Sequence, residues 1–260
     1  MKPISRMLLP GIIVFCASAA VAQPAPTTRP ALVTEAPDQP VAKIGRGGRP
    51  DANFMRMHAA YVAAAKTGNV DLYFEGDSIT DFWQHRHPND WKKNFAGWRA
   101  ADFGISGDRT EHVLWRIENG ELDGVTPKVI VLLIGTNNLP ANTTFTANSV
   151  ADTFAGYTAI VNKLKEKEPQ AHILLMGVFP REDKPLNGEI AQLNALIATL
   201  DDGKQVKYLN INDKMTDANG KLLPDVMMKD KLHPADGGYD IWADAMRPML
   251  TEWLGPPAVN

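Results

Sequence analysis

Cysteine is all but absent from this 260-residue chain. The single one, Cys16, lies in an apolar run from Met7 to Ala22 that follows Lys2 and Arg6 and ends Ala20-Val21-Ala22 before Gln23-Pro24. A basic start, an apolar stretch and an A-x-A site predict a secretory signal peptide over residues 1–22, cleaved after Ala22, and a secreted or periplasmic product. The mature chain then holds no thiol, which excludes a disulfide framework and a cysteine metal site. A run long enough to cross a bilayer is also missing. The sixteen residues of the signal, interrupted by Pro10 and Gly11, fall short of the ~20 a span needs.

Positive charge is in short supply. The chain has 27 Lys and Arg against 30 Asp and Glu, and residues 1–22 remove two bases and no acid, leaving a mature net charge of about −5. That balance offers no basic field for nucleic acid or an anionic membrane surface. Residues 23–50 are rich in Pro, Ala, Thr and Gly and end Gly47-Gly48-Arg49-Pro50, which predicts a flexible leader. Residues 51–260 are enough for one domain with a sizeable core.

Internal repeats are lacking as well; strand and helix patterns alternate instead. Phe54, Met57, Tyr61 and Ala65, three and four apart, predict a helix from Ala52 to Lys66. Short apolar runs at Leu72 to Phe74, Ala100 to Phe103, Val129 to Ile134, Ile173 to Met176 and Val206 to Leu209 predict five strands. The third is apolar throughout, as a strand buried on both faces should be. Helical stripes follow at Val113, Leu114 and Ile117, at Val150 to Leu164, at Ile190 to Leu200, and at Ile241 to Met249, where Pro248 should end or kink the last helix. The pattern predicts a single α/β domain, its five-stranded, mainly parallel sheet covered by helices on both faces.

The stretch Tyr73-Phe74-Glu75-Gly76-Asp77-Ser78-Ile79-Thr80 delivers a serine at the carboxyl end of the first strand, where open α/β sheets keep their ligands. Ser78 is therefore the candidate nucleophile, although an isolated serine at a strand-to-helix turn serves more often as a helix cap. A hydroxyl needs a base and a group to orient that base. In Asp230-Lys231-Leu232-His233 an acid three residues before a histidine can curl back to Nδ1 and leave Nε2 facing the serine, making His233 the base and Asp230 its partner. The backbone N–H groups of Ser78 and Gly107 and the side-chain amide of Asn137 are the candidate oxyanion donors. Neither Ser78 nor Ser106 lies in G-x-S-x-G, which disfavours the α/β-hydrolase fold, and Ser106 belongs to the second loop. Asp225 is eight residues from His233 and reads as a loop residue. His85 and His87 lack a carboxylate that would complete a metal motif. His58, His112 and His172 fall on structural patterns, and Arg109 reads as a brace for the second loop. Trp83 and Trp91 suit either a pocket wall or the core. Asn142-Thr143-Thr144 is a glycosylation sequon.

Four ordered blocks, Gly76-Asp77-Ser78, Gly104-Ile105-Ser106-Gly107-Asp108, Gly135-Thr136-Asn137-Asn138 and Asp230-Lys231-Leu232-His233, resemble those of the SGNH hydrolase (GDSL esterase/lipase) superfamily. The run Gly107 to Gly120 is closer still to its platelet-activating-factor acetylhydrolase catalytic-subunit branch. Ile79 and Asn138 depart from the usual Leu and Asp. The resemblance covers residues 51–254 and implies a three-layer, flavodoxin-like fold. It also implies a metal- and cofactor-independent esterase with Ser78, Asp230, His233, Gly107 and Asn137 in the roles given above. The expected substrate is a small ester, such as an acetylated carbohydrate, because no long apolar insertion supplies a lipid lid. Long-chain lysophospholipase or thioesterase activity, and a non-catalytic carbohydrate-binding protein on the same scaffold, are the alternatives.

Overall fold

The computed structural model describes residues 35–45, 47–140 and 146–258. The expected signal peptide with Cys16, the leader as far as residue 34 and the sequon at Asn142 lie outside the described residues. In chain order the elements are α1 (Ala52–Ala65), β1 (Leu72–Gly76), α2 (Ser78–Arg86), α3 (Pro88–Phe95), β2 (Ala100–Asp102), α4 (Thr110–Glu118) and β3 (Val129–Leu133). They continue with α5 (Val150–Lys167), β4 (His172–Met176), α6 (Lys184–Ile197), β5 (Val206–Leu209), α7 (Asn212–Met215) and α8 (Asp236–Leu254).

The sheet order is β2-β1-β3-β4-β5, and all four pairings are parallel. Because side chains alternate across a strand, each face collects its own core. Tyr73, Ile130, Leu132, Ile173 and Leu175 pack with residues of α1, α4, α5 and α6. Leu72, Phe74, Val129, Val131, Leu133, Leu174 and Met176 pack with α2, α3, α7 and α8. The result is a three-layer α/β/α sandwich of flavodoxin-like order. Its strand order reverses between β1 and β3, and there the carboxyl ends open a crevice.

Trp83 and Trp91 belong to the core. Trp83 is fully buried, with ring centroids 4.8 Å from Tyr239 and 4.5 Å from Trp242, and Trp91 packs 5.0 Å from Phe74. Pro248 does not end the last helix, which runs on to Leu254. The bond it forgoes would go to the carbonyl of Asp244, an exposed residue on the outer face of the helix.

The described part of the expected flexible leader makes specific contacts. The Pro37 carbonyl accepts from Thr110 Oγ1 at 3.0 Å, Val41 N donates to Glu111 O at 3.2 Å, and Lys43 O accepts from Asp51 N at 2.7 Å. Gly156 makes room for this strap: a β-carbon there would lie 2.3 Å from the Pro37 carbonyl oxygen.

Candidate active site

Ser78 is the first residue of α2, directly after β1, and Asp77 rather than the serine caps the helix, its Oδ1 accepting from Ile79 N at 2.9 Å. That division of labour leaves the Ser78 hydroxyl available. It also leaves the Ser78 N–H, one of the helix's first four, without an intrahelical carbonyl. Ser78 Oγ lies 2.8 Å from His233 Nε2 across 155 residues of sequence, and His233 Nδ1 lies 2.7 Å from Asp230 Oδ2.

The loop carrying the acid and the histidine is closed by its own bonds. Met228 N donates to His233 O at 2.7 Å, and Lys231 N donates to Met228 O at 3.0 Å. Asp230 Oδ1 accepts from the backbone N–H groups of Leu232 and His233, both at 3.0 Å, leaving Oδ2 for the ring. Lys231 takes φ +57° to make the turn. Burial alone would raise the Asp230 pKa, but the His233 ring and these two N–H groups outweigh it and hold the carboxyl at about 2. An ionised Asp230 keeps the Nδ1–H tautomer of His233, so Nε2 is the nitrogen that accepts. The Phe82 ring stacks on the imidazole at 4.3 Å, and the Arg86 guanidinium lies 3.5 Å above Phe82 on the ring centroid.

The second loop is drawn onto the first by Phe103 N to Phe74 O (2.9 Å) and Ile105 N to Gly76 O (3.1 Å). Gly104 must be glycine, since a β-carbon would sit 2.5 Å from Asp81 N. Ser106, on this loop, donates through its hydroxyl to Asp81 Oδ2. Gly107 has φ +77°. Asn137, on the loop after β3, donates to Asp108 O at 2.8 Å and to Asp77 Oδ2 at 3.3 Å, so an oxyanion would have to displace the longer bond. Burial pushes Asp77 up to about 7, which makes its carboxyl a weak competitor for that amide near neutrality.

Several further residues hold the site. Arg116 is fully buried and bonds Glu75, Asp108 (2.9 Å), Glu121 and the carbonyls of Phe103 (2.9 Å) and Gly76 (3.2 Å), tying β1, the second loop and α4 together. Arg109 braces the same region through Glu111 (2.7 Å), Thr146 O (3.1 Å) and Asn148. Asn138, the departure from the family pattern, accepts from Thr110 N at 3.0 Å and donates to Glu111 Oε2 at 3.0 Å. Arg181 reaches Thr136 Oγ1 at 3.1 Å, and burial lowers its pKa.

The remaining histidines sit apart from Ser78, Asp230 and His233. His85 Nδ1 is 2.6 Å from Asp81 Oδ1, His87 Nδ1 is 2.5 Å from Asp236 Oδ1, and His58 Nε2 is 3.2 Å from Asn119 O. Glu35, Glu111 and His112 bring possible metal-binding atoms within 4.8 Å of one another. The Glu111 carboxylate, however, already accepts from Arg109 Nε, Thr110 Oγ1 and Asn138 Nδ2, a donor set suited to a hydrogen-bonded brace rather than a cation. Asp225 has φ 60° and stands outside the Asp230–His233 pair. No helix among the described residues is long and apolar enough to cross a membrane.

Comparison with known proteins gives concordant matches. The model of the GDSL-like Lipase/Acylhydrolase family matches residues 74–241. The human platelet-activating factor acetylhydrolase IB subunit alpha2 is 35% identical over 192 residues, 73% of this chain and 80% of that protein. The human alpha1 subunit is 34% identical over 207 residues, 78% of this chain and 85% of its own length. Among solved structures, a GDSL-like lipase from Bacteroides thetaiotaomicron superposes with a TM-score of 0.62 at 25% identity, covering 77% of this chain and 98% of that one.

Proposed function

This chain belongs to the GDSL-like lipase/acylhydrolase family and is a carboxylic ester hydrolase, and from that premise we propose that it works through a Ser78 acyl-enzyme on short-chain esters. The observation that carries the reading is the unbroken relay from Ser78 Oγ to His233 Nε2 at 2.8 Å and from His233 Nδ1 to Asp230 Oδ2 at 2.7 Å.

His233 takes the Ser78 proton as Oγ attacks the ester carbonyl carbon, and the carbonyl electron pair moves onto oxygen. The Ser78 and Gly107 N–H groups and the Asn137 amide receive that oxyanion, each donor worth about 2.7–4 kcal/mol in the transition state. Collapse breaks the bond to the leaving oxygen, which takes the proton from His233 and departs as the alcohol. Water then gives His233 a proton and attacks the acyl carbon; breakdown releases the carboxylic acid and returns the proton to Ser78.

Two features favour a small polar ester. The hollow of about 460 Å³ beside Asp230 is walled by Arg181, Glu182, Asp183, Lys229 and Lys231, which suits a hydroxyl-rich leaving group such as a sugar better than an alkyl chain. Only Met55 and Leu223 are exposed large hydrophobics among the described residues, so that surface offers no apolar platform for a lipid phase. The names of the curated relatives favour acetyl as the acyl group. They also support a second reading, in which the leaving group is a phospholipid. Export after cleavage at Ala22 and a mature domain carrying its own N-terminal strap complete the proposal; amino-terminal sequencing of the secreted protein checks the cleavage site.

A series of p-nitrophenyl esters from acetate to palmitate, with acetylated xylo-oligosaccharide and an acetylated phospholipid as competing substrates, tests the specificity. The account expects kcat/KM to fall beyond butyrate and the oligosaccharide to be preferred. A maximum at long chains, or preference for the phospholipid, overturns it.

A further inference from the structure

We propose that Lys43, on the strap ahead of the domain, is a positioning residue of the oxyanion hole: its ammonium group grips the Ser106 carbonyl and so aims the Gly107 N–H at the substrate. The inference rests on the Ser78 mechanism proposed above. Lys43 Nζ donates to Ser106 O at 2.6 Å, lies 3.5 Å from Asp108 Oδ1, and is 2.9 Å from where a β-carbon on Gly107 would be. It therefore spans the loop directly over the residue expected to supply an oxyanion donor.

The geometry of the turn explains why a clamp is needed. Asp108 N bonds Ile105 O at 3.0 Å, making Ser106 and Gly107 the central residues, and Gly107 has φ +77°, the sign a type II turn requires at that position. The peptide joining the two is trans, so its carbonyl and its N–H point in opposite directions. Rotating that peptide converts the turn to type I, which glycine tolerates equally well, and would swing the Gly107 N–H away and turn the Ser106 carbonyl toward the site. The bond from Ser106 Oγ to Asp81 holds the side chain and leaves the central peptide free to rotate. Lys43 supplies the missing restraint by binding the carbonyl on its outer side.

Lys43 is itself fixed. Its carbonyl accepts from Asp51 N at 2.7 Å, Ile44 and Pro50 form an antiparallel bridge, and Val41 N bonds Glu111 O. Asp51 caps α1 by accepting from Phe54 N at 2.9 Å, so the clamp is anchored to the first helix of the domain. Lys43 precedes the family-matched residues 74–241, and nothing in its sequence surroundings marks it.

The test compares Lys43→Met and Lys43→Arg with wild type on p-nitrophenyl acetate, alongside inhibition by a methyl trifluoromethyl ketone, which forms a tetrahedral adduct on the serine. The expected result for Lys43→Met is a kcat lower by roughly ten- to hundredfold, a fraction of what losing an oxyanion donor costs. KM should stay within threefold, ketone affinity should fall in step with kcat/KM, and Lys43→Arg should restore most of the rate. A kcat within twofold of wild type, or a loss confined to KM with ketone affinity unchanged, overturns the proposal. Should Lys43→Met fail to fold, as judged by circular dichroism, Lys43→Gln carries the same comparison and the same two outcomes. Ser78→Ala separates the two levels: if it is inactive while Lys43→Met is unaffected, only the role of Lys43 falls, whereas an active Ser78→Ala removes the mechanism beneath it.

Discussion

Asn138 can accept from Thr110 N and donate to Glu111 Oε2 only because it is an amide. An aspartate, common elsewhere in the family at this place, would set a second carboxylate against Glu111 in a site with no exposure. Like charges so placed retain a proton, so the penalty is present at high pH and is relieved as the pair protonates on acidification. Asn138→Asp should therefore lower unfolding stability by roughly 2–3 kcal/mol at pH 8 and by much less at pH 5, as urea denaturation at the two values will show. The Asp230 carboxyl instead holds both the imidazole and its own loop. Asp230→Ala should lower kcat by roughly 10²–10⁴ in steady-state assays with the chain still folded. Ser78, Asp230, His233, Gly107 and Asn137 could be picked out in sequence as candidates because each lies in a short block whose residue types the proposed chemistry restricts. Lys43 and Arg116 were not, since what defines them is a partner far along the chain: Ser106 and Glu75.

Helix α4 reaches the site through Arg116, whose guanidinium pairs with Glu75 on β1, Asp108 on the second loop and Glu121. Removing one partner from such a buried set costs about 3–5 kcal/mol because the charges left behind have no solvent. Arg116→Met should lose stability on that scale in chemical denaturation, and any folded fraction should turn over more slowly as the first two loops drift apart. Helix α8 positions the loop carrying Asp230 and His233. A β-carbon on Gly238 would lie 2.1 Å from the Val226 carbonyl oxygen, which already accepts from Ala235 N at 3.1 Å. Gly238→Ala should push that backbone, and His233 with it, away from Ser78. Roughly 1–3 kcal/mol of stability and a measurable part of kcat should go together, checked by thermal melts and kinetics on one preparation. The strands were legible as apolar runs because a parallel sheet covered on both faces leaves no polar position to confuse the pattern. The course of α8 past Pro248 was not legible, since local sequence does not tell that Asp244, four residues before the proline, lies on the exposed face of the helix.

Across the molecule the buried acids set the response to pH. Burial raises Asp77 and Asp102 to about 7, and the folded protein therefore binds protons that the unfolded chain releases near pH 4. Their contribution is complete below the unfolded pKa and disappears as pH rises through about 7. Burial lowers His112 to about 4, which acts oppositely and removes stability as pH falls below about 6. Two raised acids outweigh one lowered histidine, so the melting temperature should decline from about pH 5 to about pH 7 and change little through these groups above about pH 8; an increase between pH 5 and pH 7 would contradict the assignment. The three-layer architecture and the meeting of distant blocks at one sheet edge followed from strand alternation and the switch-point rule. The packed strap did not, because Pro- and Gly-rich composition describes a free chain and cannot register the groove that Gly156 opens for Pro37. All of this bears on one claim, that the fold exists to make a single hydroxyl nucleophilic. A fluorophosphonate probe, mapped by mass spectrometry after proteolysis, tests that claim most directly. The account predicts stoichiometric modification of Ser78, abolished in His233→Ala; labelling elsewhere, or none at all in an active preparation, would contradict it.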